Sequence, residues 1–561
     1  MAEIKKSNIK TPDNSDAQQK IKNNEQLKGL RKNFETYWQT LHDYYYLEST
    51  NVNQQYYPGT ELNFNYLWDA TTLEASDVLA SGFMNYLTPP TSKWFRLQPS
   101  DEGLKGNKKV LGWLEDVGKE VNDAINKSNF YSQVISSYKS SGVYGTSILM
   151  EEDDIEDDIR FLNMPLREVC IVEDARGRIV EYYIEFDYTA FQAMTRWGMN
   201  KLSPEMQQEI REGGRDTDKK WPFLLFIGRR YNNDINKINK ENMPIQALWI
   251  DVTSKKVIEE GGYNEFPAMT HRFDKRPHIS WGFSPAMKAL PMARLLNAIS
   301  QTNLRSMMKQ TDPPLALPEN AFIMPFNANP RAINYYKKTA LDGTKDIFPF
   351  GNYGDPKIGM TAVEYYANQV KSLMYNDVFL AFDNITKQMN NPEVMERINE
   401  KMTMLGPAVG RFTSEVLDPI IIRTIGILWR KGKLPQPPDE LLESGGQYQI
   451  DYVSQLAQSQ KRSEMNSLMT ALNITAQIAN FAPQALDKVN ADKTIDNIWD
   501  VTGASARILR DDQEVKAIRE ARAEQAAKEQ ELAMVNQGAE AVRIGSEVDK
   551  NLAQAKAEGA K

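Results

Sequence analysis

The 561-residue chain reads as an α+β protein, mainly α, with more than one domain. Three observations predict this class. Helical periodicity dominates both ends, with Leu30, Phe34, Tyr37, Leu41 and Tyr45 recurring at three- and four-residue steps near the start. From Ile159 to Asp274 the period changes to that of strands, with turn signals between short apolar runs. After that block, two long helix patterns flank a proline-rich insert, and a short polar loop leads into a third, longer helix. A chain of this length exceeds one ordinary core.

The elements follow in order. Residues 1–29, rich in Lys, Asn, Asp and Gln, are expected to form a disordered arm. The first 26 lack the apolar core of a signal peptide. Helices are expected at Leu30–Leu47 and Tyr66–Leu87, the second stopped by Thr88-Pro89-Pro90. Lys93–Leu97 reads as a strand, and Gly112–Ser128 and Tyr131–Ser140 as helices. Gly142–Met150 reads as a turn and then a strand. Asp174-Ala175-Arg176-Gly177 is a hairpin signal between two strands. Thr189 with Gln192 makes a capping box ended by Gly198, and Ser203-Pro204 opens a second short helix. Strands resume at Trp221–Tyr231, Ile245–Val252 and Lys256–Glu260.

Ser284-Pro285 opens a helix to Gln310, about 40 Å long at ~1.5 Å per residue, with Pro291 as a kink. Prolines punctuate the insert Leu315–Asp355, a small β-type lobe. Thr361 with Glu364 caps the next helix, to Phe382, and Asn391-Pro392-Glu393 caps the third. In the third, Val394, Ile398, Met402, Leu405, Val409, Phe412, Val416 and Ile420 make an unbroken apolar stripe. Leu434–Pro438 is a break, Tyr448–Val453 a strand, and the remainder helical, ending in an Ala-, Glu-, Gln- and Lys-rich stretch from Asp511 to about Gly559. That tail reads as a solvated helix or as part of a multichain helical barrel, and as a lone helix it is marginal in water.

Composition narrows the function. The net charge of -8 argues against a protein that coats nucleic acid, which needs clustered Lys and Arg, but not against one that lets DNA pass. The single cysteine, Cys170, leaves no intrachain disulfide. Ile420–Trp429 is too short to span a bilayer and carries Arg423, so no membrane partner is expected.

Catalytic signatures are wanting. Gly142-Val143-Tyr144-Gly145-Thr146-Ser147 lacks the lysine of a phosphate-binding loop, and Gly282-Phe283-Ser284-Pro285-Ala286 lacks the last glycine of a nucleophile elbow. His42, His271 and His278 have no zinc-ligand spacing, and neither a metal nor another cofactor is expected. The acid run Glu151–Asp158 has two readings: a divalent-ion site, or a solvated turn of mutually repelling carboxylates between two strands. The turn is preferred, because acids adjacent in sequence rarely converge on one ion. Basic residues around the helix pair carry more interest: Lys288, Arg294, Arg305, Lys309 and Lys371 on the helices, and Lys387 with Gln388 in the polar loop Asp383–Asn390. Such a loop can touch a phosphate backbone without reading bases.

Several stretches together resemble the head-to-tail connector, or portal, family of podoviruses. They are Gly82–Leu97, with Leu87-Thr88-Pro89-Pro90 and Trp94-Phe95; Gly282–Asn297; Val394–Arg411 with Glu415–Pro419; Gly432–Leu441; and Val501-Thr502-Gly503 with Leu509–Val515. The similarity spans roughly residues 30 to 530. One departure is Asn390-Asn391-Pro392-Glu393, where the family has Thr-Ala-Thr-Glu-like residues. The resemblance implies a non-enzymatic ring, usually of twelve copies, at one capsid vertex in the virion, assembled in the host cytoplasm.

It further implies a wing (30–283), a first stem helix (284–311), a clip (312–356), a second stem helix (357–382) and a tunnel loop (383–391). A long kinked helix with the wing return (392–455), a crown (456–510) and a C-terminal barrel helix or tail (511–561) complete the layout. Asn384, Thr386, Lys387 and Gln388 become tunnel-loop candidates for DNA contact. Arg331, Tyr335, Tyr336, Lys337, Lys338 and Lys345 become the clip surface for the terminase large subunit and the tail adaptor or tail tube protein. Other implied partners are the major capsid protein, scaffolding or internal core proteins, and non-specific double-stranded DNA. The rivals are another virion structural protein, such as a tail tube or internal core component, and a metal-dependent hydrolase using the acids at 151–158.

Overall fold

The computed structural model describes residues 14–48, 52, 66–104, 107–212, 219–231, 239–311, 315–316, 348–349, 356–385, 405–453, 455–479, 481–482, 484, 489–502 and 512–558. It is a mixed α/β chain with small antiparallel sheets, in two compact units. The first comprises residues 1–94 and 120–434, the second 95–119 and 435–561.

The first unit begins with α1 (Asn14–Tyr45) and α2 (Thr71–Leu87). Residues 14–29 are helical, which corrects the expected disordered arm. A polar stretch folds here because a sheet receives it: Ala17 is buried among Cys170, Tyr183, Leu224, Phe226, Leu248 and Ile250. Lys20 lays its ammonium 3.5 Å from the centroid of the Phe226 ring, and Asn24 and Lys28 both donate to the Glu185 carboxylate. Helix α2 starts at Thr71 rather than Tyr66, after Asp69 accepts from the Thr71 backbone N–H.

Past β1 (Phe95–Pro99) and α3 (Lys108–Lys127), α4 (Phe130–Tyr144) continues through Gly142 and ends at Gly145, whose φ of 81° only glycine adopts readily. The expected turn at 142 is therefore helix, and the true turn is one residue deep. Strands β2 (Thr146–Asp153) and β3 (Ile159–Met164) form a hairpin, and β9 (Ala268–Arg272) pairs on the other edge of β2.

Between them lies a five-stranded antiparallel meander: β4 (Val169–Glu173), β5 (Ile179–Tyr188), β6 (Trp221–Arg229), β7 (Ile245–Asp251) and β8 (Lys256–Tyr263). The turn at Asp174 joins β4 to β5 as the sequence indicates, the Asp174 carboxylate accepting from Arg176 and Arg178 N–H. Strand alternation divides the sheet's side chains between two faces. One face takes α1. The other carries Phe186, Tyr188, Phe223 and Trp249 against Trp197 of α5 (Ala190–Trp197). The capping box of α5 and the Ser203 cap of α6 (Pro204–Arg211) form as expected.

Short pairs β10 (Asp274–Lys275) and β11 (Gly282–Phe283) lead into α7 (Pro285–Thr311). Ser284 caps α7, accepting from Met287 N–H and donating to Val143 O. Strands β12 (Leu315–Ala316) and β13 (Phe348–Pro349) pair antiparallel at the base of the insert. Helix α8 (Pro356–Leu373) is followed by α9 (Asn376–Ile385), then by the helical stretch α10 (405–412), a π-turn (Thr413–Leu417) and α11 (Asp418–Arg430).

The second unit pairs β1 with β14 (Tyr448–Tyr452) in antiparallel register, Phe95 opposite Tyr452. Short α12 (Asp439–Glu443) precedes β14. Helices α13 (Gln455–Ala479), α14 (Ala491–Thr502) and the 47-residue α15 (Asp512–Glu558) complete the unit. Arg519 bridges α15 to Asp492 of α14 through two hydrogen bonds.

Candidate functional site

The feature that stands apart from the core is the hairpin of α7 and α8. The first half of α7 is anchored: Ala286, Met287, Ala289, Leu290, Ala293 and Leu296 are buried. Asn297 then clasps the chain at 66–68, donating to Tyr66 O and accepting from Trp68 N–H. Beyond Leu296 no described residue of α7 is buried, and on α8 burial returns only at Val370. Among the described residues in between, the two helices pack on each other, and Ser300 and Gln301 add polar contacts to Asp69 and Trp68. Asn303 lies against Gly359, where a Cβ would run into its amide, so the two backbones approach closely.

This arm exposes large apolar side chains as well as polar ones. Ile358 is 72% exposed, Met308 59%, Tyr365 58% and Met360 57%. Ile358 and Tyr365, seven residues apart, share one face of α8.

The expected second rod, a single helix Thr361–Phe382, is in fact two. It starts five residues earlier, at Pro356, and Thr361 is internal, its hydroxyl donating to Lys357 O at 3.1 Å. Proline suits a first helical turn, where its missing N–H is no loss, and this overrides the capping pattern at 361. The chain breaks at Met374-Tyr375, Tyr375 having φ of 60°. Buried Asn376, its amide nitrogen facing Ala75 O and Met374 O, pins the break. Phe379 then seats α9 on α2 against Gly82, Phe83 and Tyr86. Helix α9 runs to Ile385, so Asp383, Asn384 and Ile385 are helical rather than loop.

The basic candidates separate. Lys288, Arg294, Arg305 and Lys309 are exposed on α7. Lys371 is not free: its ammonium is 3.0 Å from Glu74 of α2. Thr386, Lys387 and Gln388 lie outside the described residues, as do Arg331, Tyr335, Tyr336, Lys337, Lys338, Lys345 and residues 391–404, where the long helix was expected to open.

The long helix is locked to the sheets by polar contacts that periodicity does not reveal. Arg272, buried on β9, joins Glu173 of β4 to Glu415 in the π-turn. Glu415 lies inside that π-turn, the kind of helix irregularity often found where a side chain has a specific partner. His271 is buried beside it, with Ser141 Oγ 2.6 Å from Nδ1 and Nε2 facing Ala408 O at 3.3 Å. The neutral ring therefore accepts from Ser141 and donates to Ala408. Burial holds its pKa down to about 3.

The acid run Glu151–Asp158 splits, and the expectation that these acids stay wet is corrected in part. The turn is as expected, Asp154 accepting from the Glu156 and Asp157 backbones. Lys431 reaches Asp153 at 2.6 Å and Lys433 reaches Asp158 at 2.7 Å. Glu151, however, is fully buried on β2 and takes a hydrogen bond from Thr424 Oγ1 at 2.8 Å. The Arg423 guanidinium donates to the Glu151 and Glu265 carbonyls and stands 4.0 Å from the Glu151 carboxyl. Burial pushes that carboxyl up to about 8, against the lowering by Arg423. Among the described residues no group of three or more His, Cys, Asp or Glu is placed to hold a metal, and no helix is long and apolar enough to cross a membrane.

The first unit is thus an anchored, mixed α/β body bearing a two-helix arm with exposed apolar side chains. Comparison with known proteins gives the class its name. The family model for the bacteriophage head to tail connecting protein matches residues 17–509, and the chain belongs to that family. The portal protein of Salmonella phage epsilon15 is 29% identical over 535 residues, covering 93% of this chain and 94% of that protein. The probable portal protein of Bordetella phage BPP-1 is 29% identical over 527 residues, with 93% and 94% covered. A chain from the solved virion of a native gene transfer agent particle aligns over 80% of this chain and 89% of its own length, at 11% identity and a TM-score of 0.28. The protein is thus a portal-type head-to-tail connector, a structural component of the virion vertex where head meets tail.

Proposed function

We propose that copies of this chain close into a ring, twelve in the usual case, whose bore passes duplex DNA into the head and out again. Helix α7 is the first stem rod; α8, with α9 after the Tyr375 break, is the second. The insert at 312–356 is the clip, and residues 386–391 after α9 are the tunnel loop, with Lys387 and Gln388 at the DNA. The rest of the first unit is the wing, and α13 to α15 are crown and barrel.

One observation carries this reading. No described residue of α7 beyond Leu296 or of α8 before Val370 is buried, yet Ile358, Met360, Tyr365 and Met308 stand in water. A ring supplies the missing cover, because each copy offers one face to its neighbour on one side and receives another on the other. The net charge of -8 suits a conduit, in which tight binding would stall the DNA.

The chain itself has no catalytic role in this scheme. The terminase large subunit would meet the clip during packaging and the tail adaptor afterwards. Capsid and scaffolding or internal core proteins would meet the wing and crown, with assembly in the host cytoplasm. Electron microscopy of the purified protein tests the proposal. Discrete rings with a central hole support it; tubes or lone monomers would point instead to a tail-tube or core component.

A further inference from the structure

The hairpin of α7 and α8 has two broad flanks, and the helical repeat decides which residues share each. Asn303 against Gly359 marks the line along which the helices touch. Both are rooted in the body, α7 at its start and α8 at its end, so they run antiparallel. In an antiparallel pair of right-handed helices, residues displaced by the same angle from the contact line lie on the same flank. Leu304 and Met360, each one residue onward, are about 100° round on one flank. Asn297 and Gln301, about 120° and 160° round on that side, hold Trp68 there. Asn297 accepts from the Trp68 backbone N–H, and the Gln301 side-chain oxygen takes the indole proton at 3.1 Å. Ile358 and Tyr365, about 260° and 240° round, stand on the opposite flank. All five apolar side chains are exposed.

The charges of the arm lie elsewhere. Arg305, Lys357 and Glu364 are about 140–200° round, on the edges facing away from the partner helix. Lys309, at about 240°, borders the Ile358 flank, but nearer the tip than Ile358 or Tyr365. Heights along the arm correspond as well. Leu304, Met360 and Ile358 lie within about 1.5 Å of the Asn303 level, and Tyr365 lies about 9 Å toward the root, level with the stretch 297–301 that holds Trp68. Each exposed group on one flank therefore has a counterpart at the same height on the other.

Copies related by rotation about an axis along their arms meet at equal heights and through unlike faces. Resting on the ring reading above, we propose that the join between neighbouring arms is heterologous. The Trp68, Leu304 and Met360 flank of one copy seats on the Ile358 and Tyr365 flank of the next, with Trp68 as the anchor. Tryptophan is the residue type that most often dominates an interface once a partner covers it, and its level here brings it to a tyrosine ring. The five side chains leave roughly 500 Å² uncovered. A free-standing interface needs about 1,000 Å². The contact therefore sets which way round copies sit in a closed ring and does not hold two together by itself.

The test uses full-length protein assembled into rings, with thiols introduced at exposed positions and a short bismaleimide crosslinker. Native Cys170 is buried, so the introduced thiols react alone. Leu304→Cys/Ile358→Cys should give a ladder of covalent multimers on a denaturing gel, whereas Leu304→Cys and Ile358→Cys singly should stay monomeric. Covalent dimers from either single variant would overturn the assignment, because like flanks would then face each other. A double variant that forms rings yet stays monomeric on the gel would overturn it too. Trp68→Ala should raise the protein concentration needed for rings about tenfold, and Trp68→Phe should recover most of that loss. Trp68→Ala assembling at the wild-type concentration would remove Trp68 as the anchor. Wild-type protein that forms no ring would remove the ring reading itself, an outcome separate from rings that do not crosslink.

Discussion

Replacing Ile358 by aspartate should dismantle the assembly without unfolding the subunit. The side chain is 72% exposed on the third residue of α8. Burying an isoleucine fully is worth about 1.5–3 kcal/mol, so covering what remains in water contributes roughly 1–2 kcal/mol at each junction between copies. Aspartate forfeits that and adds the cost of desolvating a carboxylate. A loss of about 1.4 kcal/mol is already tenfold in one association constant, and the deficit recurs at every junction of a closed ring. The monomer should be spared, because an acid in a first helical turn opposes no dipole and favours the helix if anything. Sedimentation velocity, with far-UV circular dichroism as the control for folding, gives the answer. The variant should need at least tenfold more protein to form the ring. If Ile358→Asp assembles at the wild-type concentration, that face of α8 is not covered by a neighbour and the argument from exposed surface fails.

Two further outcomes follow from the core. Folded Glu151 keeps its proton up to about pH 8, whereas an unfolded glutamate releases it near 4.5. The folded state therefore binds the extra proton between those values, and this group's contribution falls as pH rises through that window, by an amount on the order of a few kcal/mol. Glu151→Gln stays neutral, so its urea midpoint should gain on wild type between pH 5 and pH 9; a constant difference would show that the carboxyl is ionised throughout. Gly82→Ala places a Cβ against the Phe379 ring and should cost about 1–3 kcal/mol while loosening α9. Hydrogen exchange over residues 376–385 should rise, and unchanged protection there would contradict the seating of α9 on α2.

Much of the architecture is local and was readable as such. The Thr189 capping box, the Ser203 and Ser284 caps, the Asp174 turn and the strand periods depend on neighbours a few residues apart, and each is where the pattern indicates. Helix α7 was legible because its cap and its stop both lie in its own sequence. The candidate site was legible as an order of elements, helix, insert, helix, and the exposed cations of α7 were visible as residues. The pairing of Lys371 was not, since its partner Glu74 lies 297 positions away in the chain.

The sequence by itself determined the family, the helix-and-strand succession and the charge sign of each segment, because caps, periods and motif order are written in short stretches. Only the tertiary structure decided that residues 14–29 are helical, that the second rod breaks at Tyr375, and that Glu151 leaves water while its neighbours stay in it. Those outcomes depend on distant partners: the sheet face beneath Ala17, the Gly82 hollow under Phe379, and Thr424 with Arg423 beside Glu151. A polar segment folds, or an acid is buried, when a surface far along the chain receives it, and no local pattern encodes that surface.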